Sequence, residues 1–400
     1  MKYIVILGDG MADEPIPALG DKTPMEYAST PAMDALAKLS EVGLTATIPE
    51  GMAPGSDTAN LSVLGYNPRQ YYTGRSPLEA LSIGVEMGES DVALRCNLVT
   101  VTEDSDVYAE QTMVDHSSDE ISTEDAAILL AAVVAEFKEE DFSFYTGTSY
   151  RHCLLWKNGR VLELAQPHDI LEQKIESYIT QEPYLRYMQE KSFEILKNHP
   201  LNAKRREQGL HPANSLWFWG AGTRPALDSF DSLYGKRGAM ISAVDLLKGI
   251  AVGAEMDTIL VEGANGGLHT NYEGKAQAAV KALTQDDYDF VYLHLEAPDE
   301  MGHQGSVEKK VQAIENLDSR IVANVKKELD AAGIAYRLLI MPDHPTPIKF
   351  RTHTSDPVPY LLYDSTKPQE HTWKYNEREA KAGGVRVPNG WDMMKHFFDA

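Results

Sequence analysis

The apolar run Tyr3 to Leu7, ended by Gly8-Asp9-Gly10, constrains the fold of this chain more than any other feature. A short continuous stretch of β-branched and aliphatic residues reads as a strand buried on both faces of a parallel sheet. The stretch that follows, S-T-P-A-M-D-A-L-A-K-L-S-E-V-G, reads as a helix, with Thr30 placed to cap it, Pro31 at its first position and Gly43 at its stop. The same unit returns late in the chain. Phe290 to Leu295 reads as a strand, Val307 to Leu329 as a long amphipathic helix and Tyr336 to Met341 as another strand. Alternation of this kind predicts an α/β fold, a doubly wound and mostly parallel sheet.

The middle of the chain has a different texture. Thr123 to Phe137 predicts a helix, and Y-R-H-C-L-L-W-K, Asn158-Gly159, R-V-L-E-L-A carries a two-residue hairpin signal. A polar helical stretch follows from Asp169, interrupted at Pro183. An α+β domain at residues 85–225, inserted into a parallel-sheet domain made of 1–84 and 226–400, accounts for both textures. The 400 residues exceed what one core usually supports, and 43% apolar residues are enough for two.

The formal charge of −23 argues against nucleic-acid or anionic-membrane partners, because the summed field repels both. An anionic substrate then needs its own local positive site. Two cysteines, Cys96 and Cys153, are too few for a disulfide framework, and M-K-Y-I-V-I-L-G-D is too short an apolar run for a signal peptide. No apolar run approaches the roughly 20 residues needed to cross a bilayer. These features predict a cytoplasmic protein.

Acids and histidines gather at strand ends. Asp9 follows the first strand; Asp299 and His303 stand four apart beyond the second; Asp343 and His344 follow the third, with His353 in the next loop. The carboxyl edge of an open α/β sheet is where such folds bind ligands. Carboxylates with neutral imidazoles suit divalent ions such as Zn²⁺ or Mn²⁺, and paired ions about 3.5–4 Å apart recur in phosphoryl transfer. The pattern predicts a binuclear site, one ion taking Asp9, Asp343 and His344, the other Asp299, His303 and His353.

In A-P-G-S-D-T-A-N-L-S, Ser56 stands after Pro54-Gly55 and before a helix near Thr58 to Leu64. One reading makes it the helix cap, although Ala59 cannot complete a capping box. The other makes it a nucleophile. Gly55 then supplies backbone freedom, the helix start offers N–H groups to phosphate, a metal activates the hydroxyl and Asn60 adds a donor.

The motifs G-D-G-M-A-D, P-G-S-D-T-A-N-L-S-V-L-G-Y, Y-T-G-R-S-P-L-E-A, C-N-L-V-T-V, I-S-A-V-D-L-L-K-G-I, A-P-D-E-M-G-H-Q-G and M-P-D-H-P-T-P resemble the cofactor-independent (2,3-bisphosphoglycerate-independent) phosphoglycerate mutases. The likeness is to the shorter, archaeal-type branch, within the alkaline phosphatase superfamily, and it spans nearly the whole chain. It implies an alkaline-phosphatase-like sheet domain with an inserted substrate domain, Ser56 as nucleophile, and one metal site of Asp9, Ser56, Asp343 and His344 beside another of Asp299, His303 and His353. It implies that 3-phosphoglycerate and 2-phosphoglycerate interconvert through a phosphoserine, in glycolysis and gluconeogenesis, with no bisphosphoglycerate. Mn²⁺ or Zn²⁺ is the expected ion pair, with Mg²⁺ or Co²⁺ also compatible.

Candidate groups for gripping a small phosphorylated substrate are Arg151 and His152, then Arg75, Arg224, Lys248 and Asn60. W-F-W-G-A-G-T-R-P resembles a subgroup proposed to phosphorylate homoserine, though the chain carries no G-x-x-x-x-G-K-[ST] loop. Alternating burial in a strand is the simpler account of Trp217 and Trp219. A metal-dependent phosphatase is a further alternative for the same core.

Overall fold

The computed structural model describes residues 1–400. The chain divides into two compact units, Met1–Tyr72 with Ala226–Ala400, and Thr73–Pro225. The first division falls after Tyr72 instead of after residue 84, because the helix Arg75–Ser82 packs Ala80 against Val85, Met87, Ala93, Cys153 and Leu155 of the second unit. No helix is long and apolar enough to cross a membrane.

The first unit is built on an eight-stranded sheet in the order Arg386–Val387, Glu41–Thr45, Val358–Asp364, Tyr336–Met341, Lys2–Gly8, Phe290–Leu295, Gly238–Ile241, Asp257–Thr258. The four strands from Tyr336–Met341 to Gly238–Ile241 run parallel, and their side chains are almost all buried, as the continuous apolar runs require. Val358–Asp364 runs antiparallel to both its neighbours. Leu7 pairs with His294 on one side and Met341 on the other, so the three central strands end level. Asp9, the helix Ala297–His303 and the Asp343-His344 turn therefore leave the sheet along one edge.

Two helical expectations change. The first helix covers only Pro31–Ala37; Gly43 lies in the Glu41–Thr45 strand, where a side chain would collide with the Tyr360 ring. Thr30 makes no capping bond, and the N–H groups of Ala32 and Met33 donate to the Asp318 carboxylate instead. The long helix from Val307 runs on to Ala331 but widens into a π-helical turn over Leu317–Val322, which carries Asp318 inward.

The second unit is a five-stranded, wholly antiparallel sheet with Val92–Val101 at its centre, flanked by Arg151–Trp156 and Ser215–Thr223. Strand alternation sends Val92, Leu94, Cys96 and Leu98 into one core with the helices Thr123–Val134 and Pro183–Leu196. Pro183 opens that second helix at its first turn, where its missing N–H costs nothing, and does not interrupt one. The hairpin expected at Asn158-Gly159 does not form. Both edges of Arg151–Trp156 are already taken, by Val92–Val101 and by Phe142–Tyr145, so residues 160–165 leave the sheet. Cys96 and Cys153 are buried free thiols.

Candidate metal centre and active site

The predicted residues of the first unit converge. Ligand atoms of Asp9, Asp343 and His344 lie within 4.8 Å of one another, as do those of Asp299, His344 and His353. His344 Nε2 stands 3.5 Å from Asp9 Oδ1 and 3.4 Å from Asp343 Oδ2, and its ring centre is 4.0 Å from that of His353. His303 Nε2 lies 3.2 Å from Asp299 Oδ2 and 3.0 Å from His353 Nε2. His344 thus borders both groups, whereas the sequence pattern assigned it to one.

Local structure aims each ligand. Asp299 and His303 occupy one face of the helix Ala297–His303 at a spacing of four, and His303 Nδ1 donates to the Arg351 carbonyl, turning Nε2 toward Asp299. Thr346 donates to Asp299 Oδ1. Asp343 Oδ1 accepts from the N–H groups of Gly10 and His344, and Oδ2 accepts from Asn60 at 2.8 Å. Gly10 has φ +60, and a side chain there would strike Thr346 and Asp299, so only glycine allows Asp9 and these groups to close up.

Ser56 is not the cap. Gly55 holds the N-cap position in an extended conformation open to any residue, Ser56 begins the helix Ser56–Val63, and its Oγ lies 3.1 Å from His344 Nε2. A hydroxyl directed at an imidazole among carboxylates is placed for chemistry at that centre. Asn60, expected to touch substrate, is fully buried: it donates to Ser56 O and Asp343 and accepts from Tyr292 Oη at 2.6 Å. Its amide holds the site together.

The electrostatics call for a cation. Burial, then the carboxylates of Asp343, Asp299 and Glu296, push the Asp9 carboxyl well above its ordinary range. Asp9 Oδ1 is buried without a hydrogen-bond partner. Burial lowers His344, leaving it neutral and able to ligate. A buried orphan carboxylate oxygen, several acids in one place and the neutral His344 imidazole together fit divalent ions.

The second unit carries a cluster of opposite sign. Glu79 Oε1 lies 2.8 Å from Arg75 Nε and 3.2 Å from Arg95 Nη2. Burial would raise the Glu79 carboxyl, but Arg95, Arg75 and Arg151 outweigh it and hold the group ionised. Arg95 lies over the Trp219 ring at 4.9 Å, and Trp219 also meets His168, which meets His116. Arg151 stacks over Tyr150, its own neighbour, which meets His116. Three guanidiniums thus act on one carboxylate in an acidic protein.

His152 does not join this cluster. Alternation turns it to the opposite, buried face, where Nδ1 accepts from Gly147 N–H and burial lowers its pKa to about 4. Arg224 is exposed, directed toward the Met87 carbonyl, and Lys248 pairs with Asp245 on its own helix at 2.7 Å. Arg95, Glu79, His168 and His294 escaped the sequence reading. For Arg95 and His294 the signal is a polar residue inside an apolar run, as in V-A-L-R-C-N-L-V and F-V-Y-L-H-L.

Residues 37–202 match the family model of 2,3-bisphosphoglycerate-independent phosphoglycerate mutase. A mutase of that description from Methanosarcina barkeri is 47% identical over 98% of each chain. The chain belongs to the 2,3-bisphosphoglycerate-independent phosphoglycerate mutase family, a family of isomerases. The solved PH0037 protein of Pyrococcus horikoshii has 30% identity and a TM-score of 0.82, covering 100% of this chain and 96% of the other. The cofactor-independent phosphoglycerate mutase of Thermoplasma acidophilum shares the fold, with 24% identity and a TM-score of 0.64 over 100% and 99% of the two chains. Membership of the mutase family thus extends over both units.

Proposed function

We propose that the protein interconverts 3-phosphoglycerate and 2-phosphoglycerate through a phosphoserine on Ser56, without bisphosphoglycerate. The observation that carries this reading is the approach of Ser56 Oγ to His344 Nε2, the imidazole bordering both ligand groups. Asp9, Ser56, Asp343 and His344 would hold one divalent ion, and Asp299, His303 and His353 the other, with His344 between them. When bound, such ions acidify the serine hydroxyl and neutralise phosphoryl oxygens, a role open to Mn²⁺ or Zn²⁺ and also to Mg²⁺ or Co²⁺.

Ser56 Oγ attacks phosphorus as the bond to the C3 oxygen of glycerate breaks, the serine proton ending on that oxygen. The C2 oxygen then takes the phosphoryl group back as the bond to Oγ breaks, the C2 hydroxyl proton ending on Oγ. Asn60 fixes the Ser56 backbone through its carbonyl, so the nucleophile keeps its line of attack. Arg75, Arg95 and Arg151 of the inserted unit bind the anionic groups of the small phosphorylated substrate, with Glu79 ordering two of the three. The reaction belongs to glycolysis and gluconeogenesis, in the cytoplasm.

The test is the conversion of 3-phosphoglycerate to 2-phosphoglycerate by metal-loaded protein with no bisphosphoglycerate added. Turnover without release of inorganic phosphate is expected. Phosphate release at a rate equal to isomerisation makes the protein a phosphatase, and silence here with turnover of homoserine plus ATP makes it a kinase.

A further inference from the structure

One strand lies under both aspartates of the first ligand group. Along Phe290–Leu295, Tyr292 and His294 share a face at a spacing of two, both fully buried. Tyr292 supports Asp343 through Asn60, while His294 Nε2 meets Asp9 Oδ2 at 2.8 Å. His294 Nδ1 in turn lies 3.1 Å from Ser242 Oγ, which accepts the Val244 N–H at 3.0 Å. Lys275 Nζ, also buried, donates to the His294 carbonyl and secures the strand there.

With an ion on Oδ1 the Asp9 carboxyl is ionised and its other oxygen only accepts, so His294 Nε2 carries the hydrogen toward Asp9 in that state. Nδ1 is then the bare nitrogen and accepts from the Ser242 hydroxyl, whose oxygen accepts the Val244 N–H. Asp9 Oδ2 is thereby engaged, and Oδ1, the orphan, is the oxygen left for an ion.

We propose that His294, its tautomer fixed by Ser242, is a positioning residue that makes Asp9 a one-oxygen ligand of the metal centre. The proposal rests on the reading of Asp9 as a ligand, and the supporting hydrogen bond does for it what outer partners do for metal ligands generally. His294 touches neither substrate nor ion. It sets which oxygen Asp9 presents and holds that oxygen's direction.

The experiment is Mn²⁺ titration of chelator-stripped full-length protein by calorimetry, with thermal melting to verify folding. His294→Leu should weaken one of two Mn²⁺ equivalents by about 10–100-fold and spare the other; His294→Gln, which keeps a donor, should restore most of that loss. Ser242→Ala should weaken the same equivalent by a smaller factor, about threefold to tenfold. That variant keeps the test alive if His294→Leu fails to fold. Unchanged Mn²⁺ affinities in a folded His294→Leu, or in Ser242→Ala where His294→Leu does not fold, overturn the proposal. Asp9→Ala separates the two levels: it should abolish one equivalent, and retention of both equivalents overturns the ligand reading itself.

Discussion

The two units solve the burial of charge in opposite ways. In the first, Asp9, Asp343 and Asp299 approach one another around His344, which burial keeps neutral, and one buried oxygen of Asp9 finds no hydrogen-bond partner within the protein. In the second, Arg75 and Arg95 share Glu79, which stays ionised because the guanidiniums exceed it in charge. The acidic cluster leaves a buried carboxylate oxygen that a cation would satisfy; in the basic cluster guanidiniums and carboxylate satisfy one another. A net charge of −23 describes neither place, because fields at these distances are set by nearest neighbours in a poorly screened interior.

That contrast is sharpest in catalysis. Ser56→Ala should lower the isomerisation rate by on the order of 10⁴-fold or more, as removal of a nucleophile does, while most Mn²⁺ binding survives. Calorimetry beside the coupled assay checks both, and activity within tenfold of the parent breaks the nucleophile assignment. Asp299→Ala should remove one metal equivalent together with most of the rate, since the second group loses its only carboxylate. Unchanged metal stoichiometry would count against the division into two groups.

Changes in the basic cluster should act on binding and leave the metals alone. Arg95→Ala should raise KM for phosphoglycerate by about 10–100-fold, the size expected for a lost charge-assisted contact, at unaltered Mn²⁺ stoichiometry. Arg224→Ala, at an exposed position outside the cluster, should change KM by less than about threefold. Equal effects of the two would dissolve the cluster as a functional unit.

A separate effect concerns stability. His152 binds a proton near pH 4 when folded and near 6.5 when unfolded, because burial disfavours its charged form. The unfolded chain therefore takes up the extra proton between these values, and stability falls as pH drops through that window and is constant above it. The loss at pH 4.5 is about 2.5 kcal/mol relative to pH 7. Urea titrations at the two pH values should show His152→Asn, whose Oδ1 can accept the Gly147 N–H, lacking that increment. An identical pH dependence in both proteins would place the titration elsewhere.

Much of this was written in the chain. Continuous apolar runs specify parallel strands because interior positions on both faces exclude water, and the residues right after those runs must then emerge at one edge. Asp9, Asp299, His303, Asp343 and His344 were legible as candidate ligands on that ground, with His353 in the loop that follows. Local pattern misled where tertiary contacts compete. Asn158-Gly159 is a sound hairpin sequence, but the strand before it had both edges occupied. Gly43 reads as a helix stop, yet it is a strand residue making room for Tyr360. His152 beside Arg151 looked like a pair, until alternation put them on opposite faces of the sheet.

The sequence by itself determined the fold class, the candidate nucleophile and the set of candidate metal ligands, because periodicity and strand-end position are local properties. Only the tertiary structure decided that Gly55 and not Ser56 is the N-cap, which arginines join Glu79, and that His294 stands behind Asp9. Those are distances between residues up to hundreds of positions apart, and no local pattern encodes a hydrogen bond of 2.8 Å between Asp9 and His294.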